Sequence, residues 1–366
     1  MPSRLSDTPP QRLSTSPLRA PVNVTWEITE ACNLDCAHCL SAELRAERRG
    51  ELDFEQCRAL LDELARMQVF QVNFGGGEPF LRHDFLDILR YAHRLGITTC
   101  VSTNGTVLND GLVDDLLAIG AEHPAAPVYL QVSLDGAKPE TNDAIRGAGT
   151  FGRILRGVEL LARRQYPDFS LNMVVTRLNA AEVGEFDRLA RSYGAKTRLS
   201  RFRPSGGGCH TWDDYRLTRE QLAELSAFLG DHTVILTGDS FFSLTPDSRR
   251  NLGLNMCGAA KMTCAVAPDG SVYPCAFLAD PAFLSGNVIG ESLWDIFKTS
   301  PIFKRFRDLE VASCKGCDRF SICHGGCPAV GYFLTESMGL PDPECLRAVE
   351  AGAGGREAAA PTKEGV

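Results

Sequence analysis

The chain has 366 residues, of which 44% are hydrophobic and 23% are charged, and its formal net charge at pH 7 is -8. These values are typical of a globular protein with room for one large domain and a smaller one, and the acidic balance argues against a nucleic-acid surface. No apolar run approaches the roughly 18 residues of a membrane-spanning helix. The first 20 residues lack the apolar core of an export signal, so we expect a cytoplasmic protein.

The fourteen cysteines need an explanation other than disulfides. A reducing compartment keeps thiols free, so clustered cysteines there indicate metal binding or catalysis. Eleven of the fourteen fall into spaced groups. Of the other three, Cys57 and Cys100 lie in apolar periodic segments, where we expect small buried residues, and Cys209 follows three glycines in a predicted loop.

The first cysteine group follows a predicted strand at residues 24–29 and contains Cys32, Cys36 and Cys39. Each of its three thiolates can bind a different iron of one cubane cluster. Such clusters normally have four protein ligands, so a group of three leaves one iron for an exogenous ligand. A zinc knuckle is the alternative interpretation, although zinc spacing is usually two C-x-x-C pairs and structural zinc sites are closed.

Beyond this loop, predicted helices and strands alternate as far as residue 202. The predicted helices are 54–67, 84–95, 111–119, 151–164 and 181–193, and the predicted strands are 69–74, 98–102, 128–134, 171–176 and 197–202. Strands that alternate with helices indicate βαβ units on a parallel sheet. Six such units predict an α/β fold, a partial (β/α)6 barrel of the TIM type, with its site at the carboxyl ends of the strands.

Glycine-rich or polar segments end three of these strands. Gly75-Gly-Gly-Glu-Pro79 follows the second strand, and its glycines let a backbone approach a ligand closely and leave carbonyls free for an ammonium group. Ser102-Thr-Asn-Gly105 and Ser133-Leu-Asp-Gly136 end the next two strands and offer hydroxyl and amide groups, and Arg146 adds a cation. Taken singly, these segments could also be ordinary turns or helix caps with no ligand.

After residue 202 the alternation stops. A predicted helix at 218–229 leads into a loop-rich segment that carries the other eight grouped cysteines: Cys257, Cys264, Cys275, Cys314, Cys317, Cys323, Cys327 and Cys345. Several zinc sites are the alternative use of such a set. We therefore predict a disordered tail at 1–20, the barrel at 21–235, a cysteine-rich domain at 236–350 and a second disordered tail at 351–366.

The first cysteine group and the glycine-rich segment one strand later resemble those of the radical S-adenosylmethionine (SAM) enzymes. In that family the open iron binds SAM, which is cleaved reductively to a 5′-deoxyadenosyl radical. The resemblance implies that SAM contacts ten residues: Gly75, Gly76, Gly77, Glu78, Pro79, Ser102, Asn104, Ser133, Arg146 and His38. A role as a solvated hydrogen bonder beside the cluster is equally open for His38.

The eight later cysteines resemble the SPASM extension of radical enzymes that modify ribosomal peptides, which holds two auxiliary 4Fe–4S clusters. By that pattern Cys257, Cys264, Cys275 and Cys327 hold the cluster nearer the site, and Cys314, Cys317, Cys323 and Cys345 hold the outer one. Three 4Fe–4S clusters are thus implied. The quinone-cofactor maturase of this family has an aspartate at the position of Cys323, and anaerobic sulfatase maturases have one at Ala276, so both are disfavoured.

Within this family the chain most resembles the mycofactocin maturases, over residues 23–347. The segments that carry the likeness are 67–79, 203–206, 237–242, 253–258 and 339–345. The likeness implies that the substrate is the C-terminal Val-Tyr of a small ribosomal precursor peptide. Its tyrosine is oxidatively decarboxylated and then joined to the valine by a carbon–carbon bond. Asp239 and Glu78 are the candidates for acid–base work.

No leader-binding module is recognised, so we expect a separate chaperone that presents the peptide, and a flavodoxin- or ferredoxin-type electron donor. Neither a nucleic acid nor a membrane is expected as a partner. Two alternatives stay open. One is another SPASM maturase, of the thioether or quinone-cofactor type. The other is a non-catalytic iron–sulfur electron-transfer protein, which would need the cysteines but not the glycine-rich segment or the half-barrel.

Overall fold

A computed structural model describes residues 18–232, 235–236, 257–318 and 320–347 of the chain. Most of the two predicted tails, Asp239 and the 237–242 segment lie outside the described residues.

One nine-stranded sheet organises the protein, in the order β6-β5-β4-β3-β2-β1-β7-β8-β9. Strands β1 to β7 pair in parallel, and β8 and β9 continue the sheet as antiparallel strands. The strands are β1 (Asn23–Thr29), β2 (Gln71–Gly76), β3 (Thr98–Thr103), β4 (Val128–Ser133), β5 (Phe169–Val175), β6 (Lys196–Arg201), β7 (Thr263–Val266), β8 (Ser271–Tyr273) and β9 (Gly286–Asn287). The six parallel βα units confirm the predicted partial barrel, and β6 and β9 are the ends of a sheet that does not close.

Thirteen α-helices connect or cover these strands within the described ranges. They are α1 (Ala42–Glu47), α2 (Phe54–Arg66), α3 (Phe85–Arg94), α4 (Asp110–Glu122), α5 (Pro139–Arg146), α6 (Thr150–Arg163), α7 (Val183–Ser192), α8 (Gly208–Tyr215), α9 (Arg219–Asp231), α10 (Leu293–Thr299), α11 (Pro301–Arg307), α12 (Phe320–Cys323) and α13 (Pro328–Thr335). Each helix predicted from the sequence is present, with ends shifted by a few residues. In the described ranges no helix is both long and apolar enough to cross a membrane.

The alternation of side chains along β1 separates the core from the site. Val24, Trp26 and Ile28 are fully buried, and the Trp26 ring lies 5.7 Å from that of Phe74 on β2, between the sheet and its helices. Asn23 points to the other face, where its Oδ1 accepts a hydrogen bond from Asn73 Nδ2 at 3.2 Å. Because neighbouring residues of a strand face opposite ways, this polar face is the one away from the Trp26 side of the core, and the site can use it.

Strand β7 joins the predicted cysteine-rich domain to the barrel. It pairs with β1 from Asn23↔Thr263 to Trp26↔Val266. The sheet therefore continues across the predicted boundary at residues 235 and 236.

Candidate active site

Cys32, Cys36 and Cys39 lie in the loop after β1, at the carboxyl edge of the sheet. A side-chain N–H group approaches each sulfur: Asn104 Nδ2 lies 4.0 Å from Cys32, Arg146 Nη1 lies 3.9 Å from Cys36 and Arg45 Nη1 lies 3.7 Å from Cys39. Burial raises the pKa of Cys36 to about 11, against the opposing effect of Arg146. The three cysteines are partly buried, and the thiolate form that a ligand needs is favoured by the two nearby cations, Arg45 and Arg146, against the effect of burial.

The glycine-rich segment packs directly on this loop. The backbone N–H of Gly77 donates to the carbonyl of Thr29 at 2.8 Å, and that of Glu78 donates to the carbonyl of Ala31 at 2.7 Å. A Cβ on Gly77 would lie 2.0 Å from the Ala31 carbonyl oxygen, which is too close for any side chain. A Cβ on Gly76, where φ is +109°, would likewise lie 2.6 Å from the Thr29 carbonyl oxygen. Gly76 and Gly77 are therefore needed to bring the two loops together.

A second glycine pair closes on the loop from β6. The N–H of Gly207 donates to the Cys39 carbonyl at 2.9 Å, and a Cβ on Gly206 would lie 2.1 Å from the Leu40 oxygen. Gly206 and Gly207, to which the sequence assigned no role, thus shape the backbone around Cys39.

Glu78 is buried and holds the end of β3. Its carboxylate accepts hydrogen bonds from Thr103 Oγ1 at 2.8 Å and from the Asn104 N–H at 2.7 Å. Burial raises its pKa to about 7, and these hydrogen bonds oppose the rise. They position Asn104 beside Cys32, so the observed contacts of Glu78 are structural; its acid–base role remains a prediction.

Asp135 links two of the predicted SAM-binding residues. Its Oδ2 lies 2.7 Å from His38 Nε2 and 2.7 Å from Arg146 Nε, and all three side chains are buried. Burial opposes ionisation of Asp135, but Arg146 and His38 outweigh it and lower its pKa to about 2. Asp135 was not among the site residues predicted from the sequence, although it lies in the Ser133-Leu-Asp-Gly136 segment.

The other predicted SAM contacts lie at the same edge. The Ser102 hydroxyl accepts a hydrogen bond from Gln131 Nε2 at 3.3 Å, and Asn104 Nδ2 donates to Asn33 Oδ1 at 2.9 Å. Ser133 ends β4 in register with Asn172. The fold thus brings these residues to one edge, and their contact with SAM remains a prediction.

A second group of thiols contains Cys257, Cys275 and Cys327. Burial raises the pKa of Cys257 to about 11, and the nearby Cys327 adds to the rise. Burial also raises the pKa of Cys275, to which Cys257 and Cys327 both contribute. For Cys264, the fourth predicted member, burial alone raises the pKa to about 12.

The third group of thiols lines a pocket. Its walls include Cys314, Cys317, Cys323 and Cys345, the four cysteines predicted for the outer auxiliary cluster. Burial raises the pKa of Cys323 to about 12, with contributions from Cys345 and Cys314. Four thiols around one cavity fit a four-iron cluster. Within the described ranges, no three His, Cys, Asp or Glu side chains are grouped closely enough to hold a single metal ion.

Known proteins carry the same two regions in the same order. The profile of the radical SAM superfamily matches residues 26–190, and that of SPASM, an iron–sulfur cluster-binding domain, matches residues 257–318. The chain is 42% identical over 353 residues to the mycofactocin maturase of Mycobacterium ulcerans, covering 94% of this chain and 93% of that protein. This chain belongs to the mycofactocin maturase family of radical SAM enzymes.

Two further comparisons agree. The mycofactocin maturase of Mycobacterium tuberculosis is 42% identical over 339 residues, which cover 90% of this chain and 84% of that protein. The crystal structure of Streptococcus suis SuiB bound to its precursor peptide SuiA superposes with a TM-score of 0.75 at 19% identity, covering 91% of this chain and 77% of that one. At 19% identity, the likeness to SuiB shows a shared fold alone. As a radical SAM enzyme, the chain uses an iron–sulfur cluster and SAM, and its SPASM region is an iron–sulfur cluster-binding domain.

In this family member a buried ion pair ties the SPASM cysteines to the barrel. Arg201 of β6 contacts both carboxylate oxygens of Asp342 at 2.7 Å, and its Nε donates to Glu344 Oε2 at 2.6 Å. Asp342 in turn accepts a hydrogen bond from the Cys327 N–H at 2.9 Å. The pair therefore fixes the segment between Cys327 and Cys345, and no local sequence pattern pointed to it.

Proposed function

We propose that this enzyme oxidatively decarboxylates the C-terminal tyrosine of a small ribosomal precursor peptide and then joins that residue to the preceding valine. Its relatives at 42% identity are mycofactocin maturases, and the resemblance to that family is what implies this substrate. The observation that carries the proposal is the three-cysteine loop at the carboxyl edge of the barrel, with an N–H donor beside each sulfur. That arrangement suits a cluster with one iron left for SAM.

We propose three 4Fe–4S clusters in all. Cys32, Cys36 and Cys39 would hold the one that binds SAM, Cys257, Cys275 and Cys327 belong to the nearer auxiliary site, and Cys314, Cys317, Cys323 and Cys345 would hold the outer one. When bound, the clusters and SAM supply one-electron chemistry and the radical that starts the reaction. A decarboxylation that leaves the product oxidised also needs an electron acceptor, and an auxiliary cluster is suited to that task.

The chain's own residues have positioning and electrostatic roles in this proposal. Hydrogen-bond donors near the sulfurs, such as Arg45 and Arg146, tune the reduction potential of a cluster. Asp135 holds Arg146 in place beside Cys36. The residues at 75–79, with Ser102, Asn104, Ser133, Arg146 and His38, are proposed to surround SAM.

Reductive cleavage of SAM by anaerobically reconstituted protein tests the enzyme class. Cys32→Ala should abolish cleavage and retain about two-thirds of the iron, since two of three four-iron clusters would remain. Cys57→Ala is the matched control, because Cys57 is a buried core thiol in α2. Cleavage by Cys32→Ala would contradict the three-cysteine assignment, and a non-catalytic electron-transfer protein would cleave no SAM at all.

Mass spectrometry of a peptide ending in Val-Tyr tests the reaction. Decarboxylation with oxidation removes the mass of formic acid, whereas a simple crosslink, as formed by other SPASM maturases, removes two hydrogens. Appearance of only the second product would contradict the proposed reaction.

We also propose a separate chaperone for the peptide leader, a flavodoxin- or ferredoxin-type donor and a cytoplasmic location. No disulfide joins any of the fourteen cysteines, all of which lie in the described residues, and this fits a reducing compartment. Peptide-binding assays with and without the chaperone test its role, and tight leader binding by the enzyme alone would count against it.

A further inference from the structure

Strand β7 directs Cys264 into the hydrophobic core. Cys264 pairs in register with Val24 of β1, and Val266 pairs with Trp26. Residues paired across a sheet share a face, and Val24 and Trp26 face the helices. Cys264 is 0% exposed and belongs to the same apolar cluster.

Cys275 points the other way. β7 and β8 are antiparallel, with Ala265 paired to Tyr273 and Val266 paired to Val272. β8 ends at Tyr273, but the backbone of Cys275 is extended, with φ −158° and ψ 166°, so continuing the register by two residues would put Cys275 opposite Thr263. Because neighbouring residues alternate between faces, Cys275 and Cys264 lie on opposite sides of the sheet, and one cluster could not bind both.

Cys257 and Cys327 lie on the side of Cys275. Both lie close enough to the Cys275 thiol to interact with it electrostatically, and all three cysteines are partly exposed, whereas Cys264 is buried. Arg203, whose guanidinium lies 4.0 Å from the centre of the Phe277 ring, also acts on Cys257 and Cys275. This side therefore combines three thiols with a cation.

We propose that the nearer auxiliary cluster is held by three thiolates, from Cys257, Cys275 and Cys327, and that one of its irons accepts a small anionic donor from outside the chain. Cys264 is a core residue rather than a ligand. The proposal rests on the proposed function, since it requires an iron–sulfur cluster at these cysteines. Arg203 favours an anion at the open iron by its charge.

The other cysteines have different places in the fold. Cys57 lies in the core side of α2 and Cys100 in β3, and the Cys209 thiol donates to the Pro204 carbonyl at 3.0 Å. The sequence has no cysteine between residues 210 and 256. A fourth thiolate for this cluster would thus have to come from one of these positions.

The iron content of single variants of the full chain tests the ligand set. Cys264→Ala should retain the iron of the parent enzyme, as should Cys57→Ala, the same change at another buried core thiol. Cys275→Ala should lose about a third of the iron, the share of one cluster in three. Cys264→Val, which keeps more of the side-chain volume, covers the case in which the alanine variant fails to fold. Loss of one cluster in folded Cys264→Val, with Cys57→Ala intact, would overturn the proposal.

Cyanide labelled with carbon-13 probes the open iron directly. Excess S-adenosylhomocysteine, which has no sulfonium to be cleaved, is used to occupy the first cluster. Cyanide added to the reduced holoenzyme should then give carbon-13 hyperfine coupling on the auxiliary cluster, in the parent and in Cys264→Val alike. Absence of that coupling in the parent would overturn the proposal. Full iron content in Cys275→Ala would instead show that the proposed cluster is not there, which is a failure of the proposed function.

Discussion

Oδ2 of Asp135 lies 2.7 Å from Nε of Arg146, and the same guanidinium reaches to 3.9 Å from the sulfur of Cys36. Asp135 has no exposed surface, and its Oδ1 accepts a hydrogen bond from the Val174 N–H at 2.8 Å. β4 and β5 thus orient, through Asp135, a cation that belongs to α5. The site depends on this carboxylate although Asp135 does not itself touch a cysteine sulfur within the described contacts.

Replacing Asp135 by asparagine should destabilise both the fold and the first cluster. The change leaves Arg146 charged and buried without its partner, which typically costs about 3–5 kcal/mol. Urea unfolding under anaerobic conditions, together with iron content and SAM cleavage, measures the effect. Asp110→Asn is the control, because Asp110 pairs with Arg163 on the surface, where such pairs contribute about 1 kcal/mol or less. Equal losses in the two variants would contradict a special role for Asp135.

Replacing Arg201 by methionine should loosen the SPASM cysteines selectively. Asp342 would be left buried without its cation, again at a cost of about 3–5 kcal/mol, and the segment between Cys327 and Cys345 would lose its anchor. We expect loss of auxiliary-cluster signals while SAM binding at the first cluster persists. The control is Lys196→Met. Lys196 lies on β6, as Arg201 does, and pairs with Asp168 at the surface, so this change should leave all clusters in place. Loss of the first cluster alone in Arg201→Met would refute this interpretation.

The glycine at position 77 offers a steric test. Gly77→Ala would place a Cβ 2.0 Å from the Ala31 carbonyl oxygen, next to Cys32. We expect the loop to shift and the first cluster to be lost, as measured by iron content and SAM cleavage. Gly120→Ala in α4 is the matched control, since nothing lies within 4 Å of the added Cβ, and alanine should stabilise the helix by roughly 0.8–1 kcal/mol. An intact cluster in Gly77→Ala would show that the backbone can yield there.

The sequence predicted the barrel because its elements are locally periodic. Apolar alternation in β1 and helical spacing in α2 are visible within single segments. The helix α5 was missed, since its residues Pro139–Arg146 are short and mostly polar. Its C-terminal residue nevertheless contacts the cysteine loop.

Local periodicity could not predict which distant segments of the chain contact each other. Asp342 is 141 residues from Arg201, and the pairing of β1 with β7 spans about two-thirds of the chain. The resemblance to the family grouped Cys264 with Cys257, and a cysteine pattern does not say which face of a strand a residue takes. That face is set by the register of β7 on β1, which no local pattern specifies.

Glu27 of β1 should make stability fall as the pH rises towards neutrality. It is buried, accepts a hydrogen bond from Ser41 at 3.1 Å, and its Oε2 has no hydrogen-bond partner among the described residues. Burial raises its pKa from 4.5 to about 7, against the hydrogen bond from Ser41. Between these two values the folded protein keeps a proton that the unfolded chain releases, so the free energy of unfolding decreases with pH.

The variant Glu27→Gln removes this dependence and keeps an acceptor for Ser41. Relative to wild type, it should gain up to about 3 kcal/mol between pH 4.5 and 7, with no further gain above that range. Urea unfolding at pH 5, 6, 7 and 8 measures the difference, and Glu43→Gln on α1, where the side chain is exposed, is the control. The raised pKa of Glu78 affects all three proteins alike, so the difference isolates Glu27. A difference between Glu27→Gln and wild type that stays constant over this range would mean that Glu27 does not titrate there.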